Sequence, residues 1–322
     1  MMMTLERAPT RRYHTAIMNS RHWDGFEMRP DDIVIATYPK CGTTWTQRIV
    51  DLLVFQNTEA RPIMDTAVWL DSRIFAPHEE NLATLGAQTH RRFIKSHLPF
   101  DSLPIYEGVK YVHVARDGRD AFLSWHNHVR GFTPETRMKV GMIAMSDPEL
   151  PKLGPPPETP EDPQLMYQDW IAQAEAEPQV GPGQDLSYFD FEMTYWRERH
   201  RKNLLMVHYA DMKADLEAEM RRISEFLEID TPPAVLKELA AAAQFDAMKA
   251  QGPALLPHIG EHFDKGSERF LNRGVNGRWR DVLNAQDLAR YAAVAQSKLS
   301  PACADWLEKG RLGTCDPTTA GD

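Results

Sequence analysis

Lys40, Lys95, His97 and Arg116 are the residues whose types and neighbours suit chemistry on an anion. Lys95 and His97 stand two positions apart in Arg91-Arg92-Phe93-Ile94-Lys95-Ser96-His97-Leu98-Pro99, so an extended backbone turns both to one side. There an imidazole can take a proton from an attacking hydroxyl near neutral pH, and an ammonium can stabilise charge on transferring oxygens. The structural alternative for His97 is to satisfy a buried backbone group beside Pro99. Lys40 belongs to Thr37-Tyr38-Pro39-Lys40-Cys41-Gly42-Thr43-Thr44-Trp45. In that loop Gly42 admits close approach of the backbone, and Lys40 with two threonine hydroxyls adds charge and donors.

These residues need elements to position them. Residues 32–38 are short, β-branched and nearly all apolar, as expected of a strand buried on both faces of a parallel sheet. Pro39 ends it, and Trp45, Ile49, Leu52, Leu53 and Phe55 recur at helical spacing, predicting a helix from Thr43 or Thr44 to about Asn57. Its N-terminus opens at the loop, where free N–H groups and the positive dipole end favour a phosphate. The bland reading is a tight turn with Thr43 as a helix cap. The loop differs from G-x-x-x-x-G-K-[ST], since its lysine precedes the glycine.

Residues 110–115 read as a second buried strand, with Arg116 at its carboxyl end, the edge where open α/β sheets bind ligands. Arginine offers a planar fork to a phosphate, and Ser124 adds a hydroxyl from the next helix, around residues 121–125. The alternative is a salt-bridged turn among Arg116, Asp117, Arg119 and Asp120. Residues 203–208 form a third strand candidate ending at Tyr209, and Asp211-Met212-Lys213 opens a helix carrying Leu216, Met220, Ile223, Phe226 and Leu227. Phe270 to Trp279 is a basic, glycine-punctuated loop able to close over an anion. Taken alone it is a surface loop of solvated charges.

A chain of 322 residues with 42% hydrophobic content can bury a large core, and one α/β domain is expected over 1–322. The 133–184 segment, with Gly154-Pro155-Pro156-Pro157 and Gly181-Pro182-Gly183, reads as a long irregular excursion with some helix near 163–176, a lid or substrate wall. No 18-residue apolar run is present and the first dozen residues lack a secretion-signal core, so a non-membrane-spanning, cytoplasmic protein is expected. Cys41, Cys303 and Cys315 have no metal-ligand spacing and no disulfide pattern, which suits a reducing compartment. A net charge of −9 argues against general nucleic-acid binding. An anionic ligand must then meet a local cationic pocket.

Together these segments resemble the cytosolic-type sulfotransferases, which use 3′-phosphoadenosine 5′-phosphosulfate (PAPS) as sulfuryl donor. The resemblance spans most of the chain. It implies a P-loop-like three-layer fold with a mainly parallel sheet flanked by helices. Tyr38 to Trp45 is similar to that family's 5′-phosphosulfate loop, so Lys40, Cys41, Gly42, Thr43 and Thr44 are implied donor contacts, with Trp45 packing on the adenine. Arg116 and Ser124 fall at the spacing of its 3′-phosphate pair, and Tyr209 matches the tyrosine of its Y-x-D-M segment. Phe245 carries over from its S-F pair, and Arg273-Gly274 from the end of its C-terminal R-K-G loop. Lys95 and His97 match its K-x-H-L-P element, which implies His97 as the catalytic base. Departures are Cys41 for serine, Asn272 for arginine and Ala243 for the adenine-contacting threonine, and the family's dimerisation motif is not recognisable after Trp279. Phrases such as His90-Arg91-Arg92-Phe93-Ile94-Lys95 resemble bacterial members, including mycobacterial ones described as acting on glycolipids.

The implied reaction has His97 deprotonating a hydroxyl of a small-molecule, lipid or glycolipid acceptor while Lys40 and Lys95 balance charge, with adenosine 3′,5′-bisphosphate leaving and no metal required. Trp69, Phe75, Phe132, Tyr188 and Phe189 are candidate acceptor walls, although each taken singly reads as core before contact. Two rivals stand beside it. An ATP-dependent small-molecule kinase would need a lysine after the second glycine and an acidic magnesium ligand, for which Asp117 is the modest candidate. A non-catalytic nucleotide-binding protein would have kept the cradle and lost turnover.

Overall fold

Among the described residues six strands order the chain: β1 (Leu5–Arg7), β2 (Ile33–Ala36), β3 (Phe93–Ser96), β4 (Ile105–Tyr106), β5 (Lys110–Ala115) and β6 (Leu204–His208). The computed structural model describes residues 3–179 and 181–321. Met1, Met2, Val180 and Asp322, which fall within the expected 1–322 and 133–184 spans, lie outside the described residues. β1 and β4 pair antiparallel as a small separate ribbon. The other four form one all-parallel sheet in the order β3-β2-β5-β6.

Register places the chemistry. Ala36 pairs with Ser96 of β3 and His113 of β5, and Ala115 pairs with His208 of β6. Thr37, His97, Arg116 and Tyr209 are therefore each the first residue past the carboxyl end of a strand, all at one edge of the sheet. The strands are buried on both faces, which explains their near-continuous apolar character. On one face Ile33, Ile35, Phe93, Val112, Val114 and Val207 pack with Ile49, Leu52 and Leu53 of the Thr43–Phe55 helix and with Met220 and Ile223 of the Leu216–Phe226 helix. On the other, Val34, Ile94, Tyr111 and Met206 pack with Phe122 of the Gly118–Arg130 helix, Ile171 of the Pro163–Glu175 helix and Phe189 of the Tyr188–Trp196 helix. Helices thus cover both faces of a parallel sheet, the three-layer α/β arrangement expected.

Three local expectations need correction. The 133–184 segment is not mainly irregular: Thr133 caps a helix over Pro134–Ser146, accepting from the Thr136 N–H, with Pro134 in the first turn where its missing N–H costs nothing. Its signal was hidden because Val140 and Ala144 face inward while Met138, Met142 and Met145 face solvent, so both sides are apolar and no period stands out. The helix expected from Asp211 is two, Tyr209–Ala214 and Leu216–Phe226, broken at Asp215, whose carboxylate caps the second by accepting from the Ala218 N–H. The basic loop near the C-terminus is shorter than expected, because a turn of helix over Ser267–Phe270 precedes it and a 3₁₀ turn over Arg278–Asp281 ends it.

Candidate active site

The loop after β2 folds as the residue types demand. Lys40 and Gly42 both adopt left-handed backbone, φ 72° and 117°, and Gly42 stands at the N-cap of the Thr43–Phe55 helix. A Cβ on Gly42 would come within 2.9 Å of the Tyr209 ring. Left-handed backbone alone costs an L-residue about 1–2 kcal/mol. Gly42→Ala is therefore expected to weaken binding of adenosine 3′,5′-bisphosphate by roughly tenfold or more, by isothermal titration, while the thermal midpoint falls by only a few degrees.

Thr43 and Thr37 join through their hydroxyls at 2.6 Å, tying the helix start to the strand end. Thr44 lines the cavity above the loop, and Trp45, half-buried, packs edge-on against Tyr209 at 5.2 Å and donates its indole N–H to the Ala243 carbonyl at 2.7 Å. That contact uses backbone, so the Ala243 departure leaves it intact. Cys41 is placed differently from its loop neighbours. It is fully buried, does not line the cavity, and its N–H donates to the Tyr38 carbonyl at 3.3 Å. Burial pushes its thiol well above the usual range.

His97, 9% exposed, is held by its Nδ1–H donating to the Thr37 carbonyl at 2.8 Å. A carbonyl only accepts, so Nδ1 carries the proton and Nε2 presents a lone pair. Burial, and then Lys95, holds this imidazole well below its ordinary pKa, neutral around pH 7. Trp69 stands edge-on to it at 4.9 Å, and the Lys95 ammonium lies over the Trp69 ring at 4.1 Å. Asp71, fully buried, accepts from the indole N–H groups of Trp69 at 2.7 Å and Trp23 at 3.2 Å and from the His97 backbone N–H at 3.3 Å. It thereby fixes the base and its aromatic neighbour together. Nothing at the sequence level marked Asp71 except a lone carboxylate inside Trp69-Leu70-Asp71.

The lysines are depressed. Burial, reinforced by Lys95 and Arg116, lowers Lys40 to about 7, and burial lowers Lys95 to about 8. Each carries its charge below that value and loses it above. Binding of an anion to the free protein is therefore expected to weaken as pH rises through about 7 to 8, by up to tenfold per pH unit for each lysine that engages it. Titrating sulfated and sulfate-free bisphosphate across that range separates the lysines' share from the arginines'.

Arg116 lies over the Tyr209 ring at 4.2 Å, donating to the Asn276 side chain at 3.1 Å and the Val275 carbonyl at 2.9 Å. It takes no part in the salt-bridged turn, which consists of Asp117 with Arg119, and Arg119 with Glu308. Asp117, the modest magnesium candidate, is thus neutralised by an arginine. Ser124 is half-buried on the same cavity wall. Gly274, at φ 62°, packs so closely on Phe245 that a Cβ would lie 2.6 Å from the ring. Arg273 is exposed at the rim, and Arg278, unremarked at the sequence level beyond its place in the basic loop, lines the cavity beside it. Burial and the charges of Arg273 and Arg116 lower Arg278, the mark of cations crowded without enough counter-charge.

One cavity of about 700 Å³ is lined by Lys40, Gly42, Thr43, Thr44, Trp45, Lys95, His97, Arg116, Ser124, Tyr209, Phe245, Arg273 and Gly274, so every site residue expected from the sequence except Cys41 reaches it. Its cationic half sets Lys40, Arg116, Arg273 and Arg278 around two close-packed glycines, a combination of charge and open backbone able to hold a phosphate ester. Its other half is lined by Trp69, Phe75, Phe132, Ile259 and Met18. Of the candidate walls, Tyr188 and Phe189 take the core alternative and are fully buried, the Tyr188 hydroxyl donating to the Arg116 carbonyl at 2.7 Å. The wall in that region is Phe191 and Leu186.

A parallel sheet whose strand ends deliver a phosphate cradle, a cluster of cations with no carboxylate ion pair among the described residues and a neutral histidine defines a group-transfer enzyme acting on a phosphorylated donor. The family model described as a sulfotransferase domain matches residues 30–302, and the chain belongs to that family. A glycolipid sulfotransferase of Mycobacterium bovis is 33% identical, over 94% of this chain and 95% of its own. Sulfotransferase 1 family member D1 of Mus musculus is 27% identical, over 84% of this chain and 85% of its own. Among solved structures, retinol dehydratase in complex with androsterone and inactive cofactor PAP superposes with a TM-score of 0.66 at 21% identity, covering 87% of this chain and 84% of that one. A mouse sulfotransferase complexed with PAP gives 0.62 at 20% identity, over 89% and 92%. The protein is a PAPS-dependent sulfotransferase.

Proposed function

We propose that the protein transfers the sulfuryl group of PAPS to a hydroxyl of an amphiphilic glycolipid, with His97 as general base and Lys40 and Lys95 stabilising charge. The observation that carries this reading is the continuity of the cavity: a cationic half and an aromatic, apolar half join where His97 stands between Lys40 and Trp69. The glycolipid sulfotransferase relatives support the acceptor class.

PAPS would supply an activated sulfuryl group on a phosphate leaving group. Arg116, Ser124, Arg273 and Arg278 would hold its 3′-phosphate side, and Trp45, Tyr209 and Phe245 would enclose the adenine. The Gly42, Thr43 and Thr44 segment with Lys40 would hold the phosphosulfate. His97 Nε2 accepts the acceptor's hydroxyl proton, and its Nδ1–H bond to Thr37 keeps the lone pair aimed as the imidazole becomes imidazolium. A bound dianionic phosphosulfate offsets the neighbouring lysines' repulsion, raising the basicity of His97 when it is needed. Lys95, held over Trp69, and Lys40 face the oxygens on which charge changes, so the contribution is one of positioning and electrostatics.

One family model over residues 30–302 supports a single domain. Among the described residues no helix is long and apolar enough to cross a membrane, which is consistent with a cytoplasmic site of action. The test is transfer of radiolabelled sulfate from PAPS to octyl β-glucoside, with 2-naphthol as the comparison acceptor and EDTA present. Sulfated glucoside formed without metal is expected. Sulfation of naphthol alone overturns the glycolipid assignment, and an absolute need for magnesium with ATP as donor revives the kinase reading.

A further inference from the structure

We propose that His128 is a positioning residue for Lys40, whose ammonium it holds at the junction between the two halves of the cavity. The proposal rests on the assignment of Lys40 to sulfuryl transfer given above. His128 is one helical turn beyond Ser124 in the Gly118–Arg130 helix, so both face the cavity from the same side. Its Nδ1 lies 3.2 Å from the Lys40 Nζ. An ammonium can only donate, so Nδ1 must be the unprotonated nitrogen and the imidazole neutral. Burial and the adjacent Lys40, Lys95 and His97 all favour that neutral form.

The ring itself is fixed by aromatic neighbours on several sides: Phe263 at 4.6 Å, Phe132 at 5.3 Å, Trp125 at 5.5 Å and Phe270 at 5.6 Å between ring centres. Phe270 also presents its face to the Lys40 ammonium at 4.9 Å. Lys40 needs such support. Its backbone is left-handed, no carboxylate pairs with it among the described residues, and Lys95 and Arg116 repel it. With one N–H given to His128, two remain for the oxygens of a transferring group, in a direction set by the boxed imidazole rather than by a mobile four-carbon stem.

The experiment compares His128→Phe, which refills the aromatic box without a lone pair, with His128→Asn, whose carbonyl oxygen falls near the position of Nδ1. PAPS affinity is measured by titration, and kcat by sulfate transfer to octyl β-glucoside or to 2-naphthol, whichever the unaltered protein sulfates. His128→Phe is expected to lower kcat by about 10–100-fold, the loss of one hydrogen bond to a charged group, with PAPS affinity changed less than about threefold. His128→Asn is expected to recover most of it. Should the phenylalanine variant fold poorly, Asn against His128→Gln decides the matter, because the glutamine amide reaches the position of Nε2 and should not rescue. An unchanged kcat in His128→Phe, a loss of kcat matched by loss of PAPS affinity, or equal impairment of the Asn and Gln variants overturns the proposal. Sulfation of naphthol but not glucoside by the unaltered protein would remove the glycolipid assignment and leave this comparison intact.

Discussion

His97→Ala is expected to reduce turnover by about 10²–10⁴-fold, the range of a positioned general base, while adenosine 3′,5′-bisphosphate binds within about threefold of the unaltered protein. The separation follows from geometry. His97 bonds to Thr37 and packs on Trp69, toward the apolar half, whereas the bisphosphate's charges would meet Arg116, Arg273 and Arg278. The imidazole is neutral in the free protein, so its removal leaves no buried charge uncompensated. Steady-state transfer together with calorimetric titration checks both halves of the statement. Parallel loss of binding and turnover would make His97 a structural residue.

Arg116→Ala is expected to act in the opposite way, weakening bisphosphate binding by about 3 kcal/mol, roughly a hundredfold, as two hydrogen bonds from a charged fork are lost. Arg116→Lys should recover only part of this, because a point charge cannot reproduce the fork that reaches Asn276 and Val275 in the free protein. Titration of both variants tests this, and a lysine variant equal to the unaltered protein would show that charge alone suffices. The kcat at saturating PAPS should change far less than the affinity.

The sheet and the donor side were legible because strands buried on both faces are short apolar runs and the residues after them are the site: Thr37, His97, Arg116 and Tyr209 each follow such a run. The turn after β2 was legible for a different reason, since only a glycine suits the backbone at position 42. What failed was whatever lacked a period. The Pro134–Ser146 helix carries methionines where polar residues would mark the solvent side, so no period marks it. For Tyr188 and Phe189 the residue type suits wall and core alike, and only the turn of their helix decides for the core. Asp71 and His128 were unreadable because their roles depend on partners distant in sequence, Trp23 at 48 residues and Lys40 at 88.

The contacts of Arg116 with Asn276 and Val275 bear on the rhythm of turnover. The C-terminal loop bonds the same guanidinium that the proposed function gives to a 3′-phosphate, so on that reading the nucleotide would exchange places with a tethered internal ligand. Part of the intrinsic affinity is spent on that exchange, and the same loop is on hand to reclaim the arginine when the spent nucleotide loosens. Such an arrangement trades tight holding for quick clearance. It favours an enzyme paced by its chemical step rather than by escape of the bisphosphate, a regime that a pre-steady-state burst experiment would reveal by showing no burst.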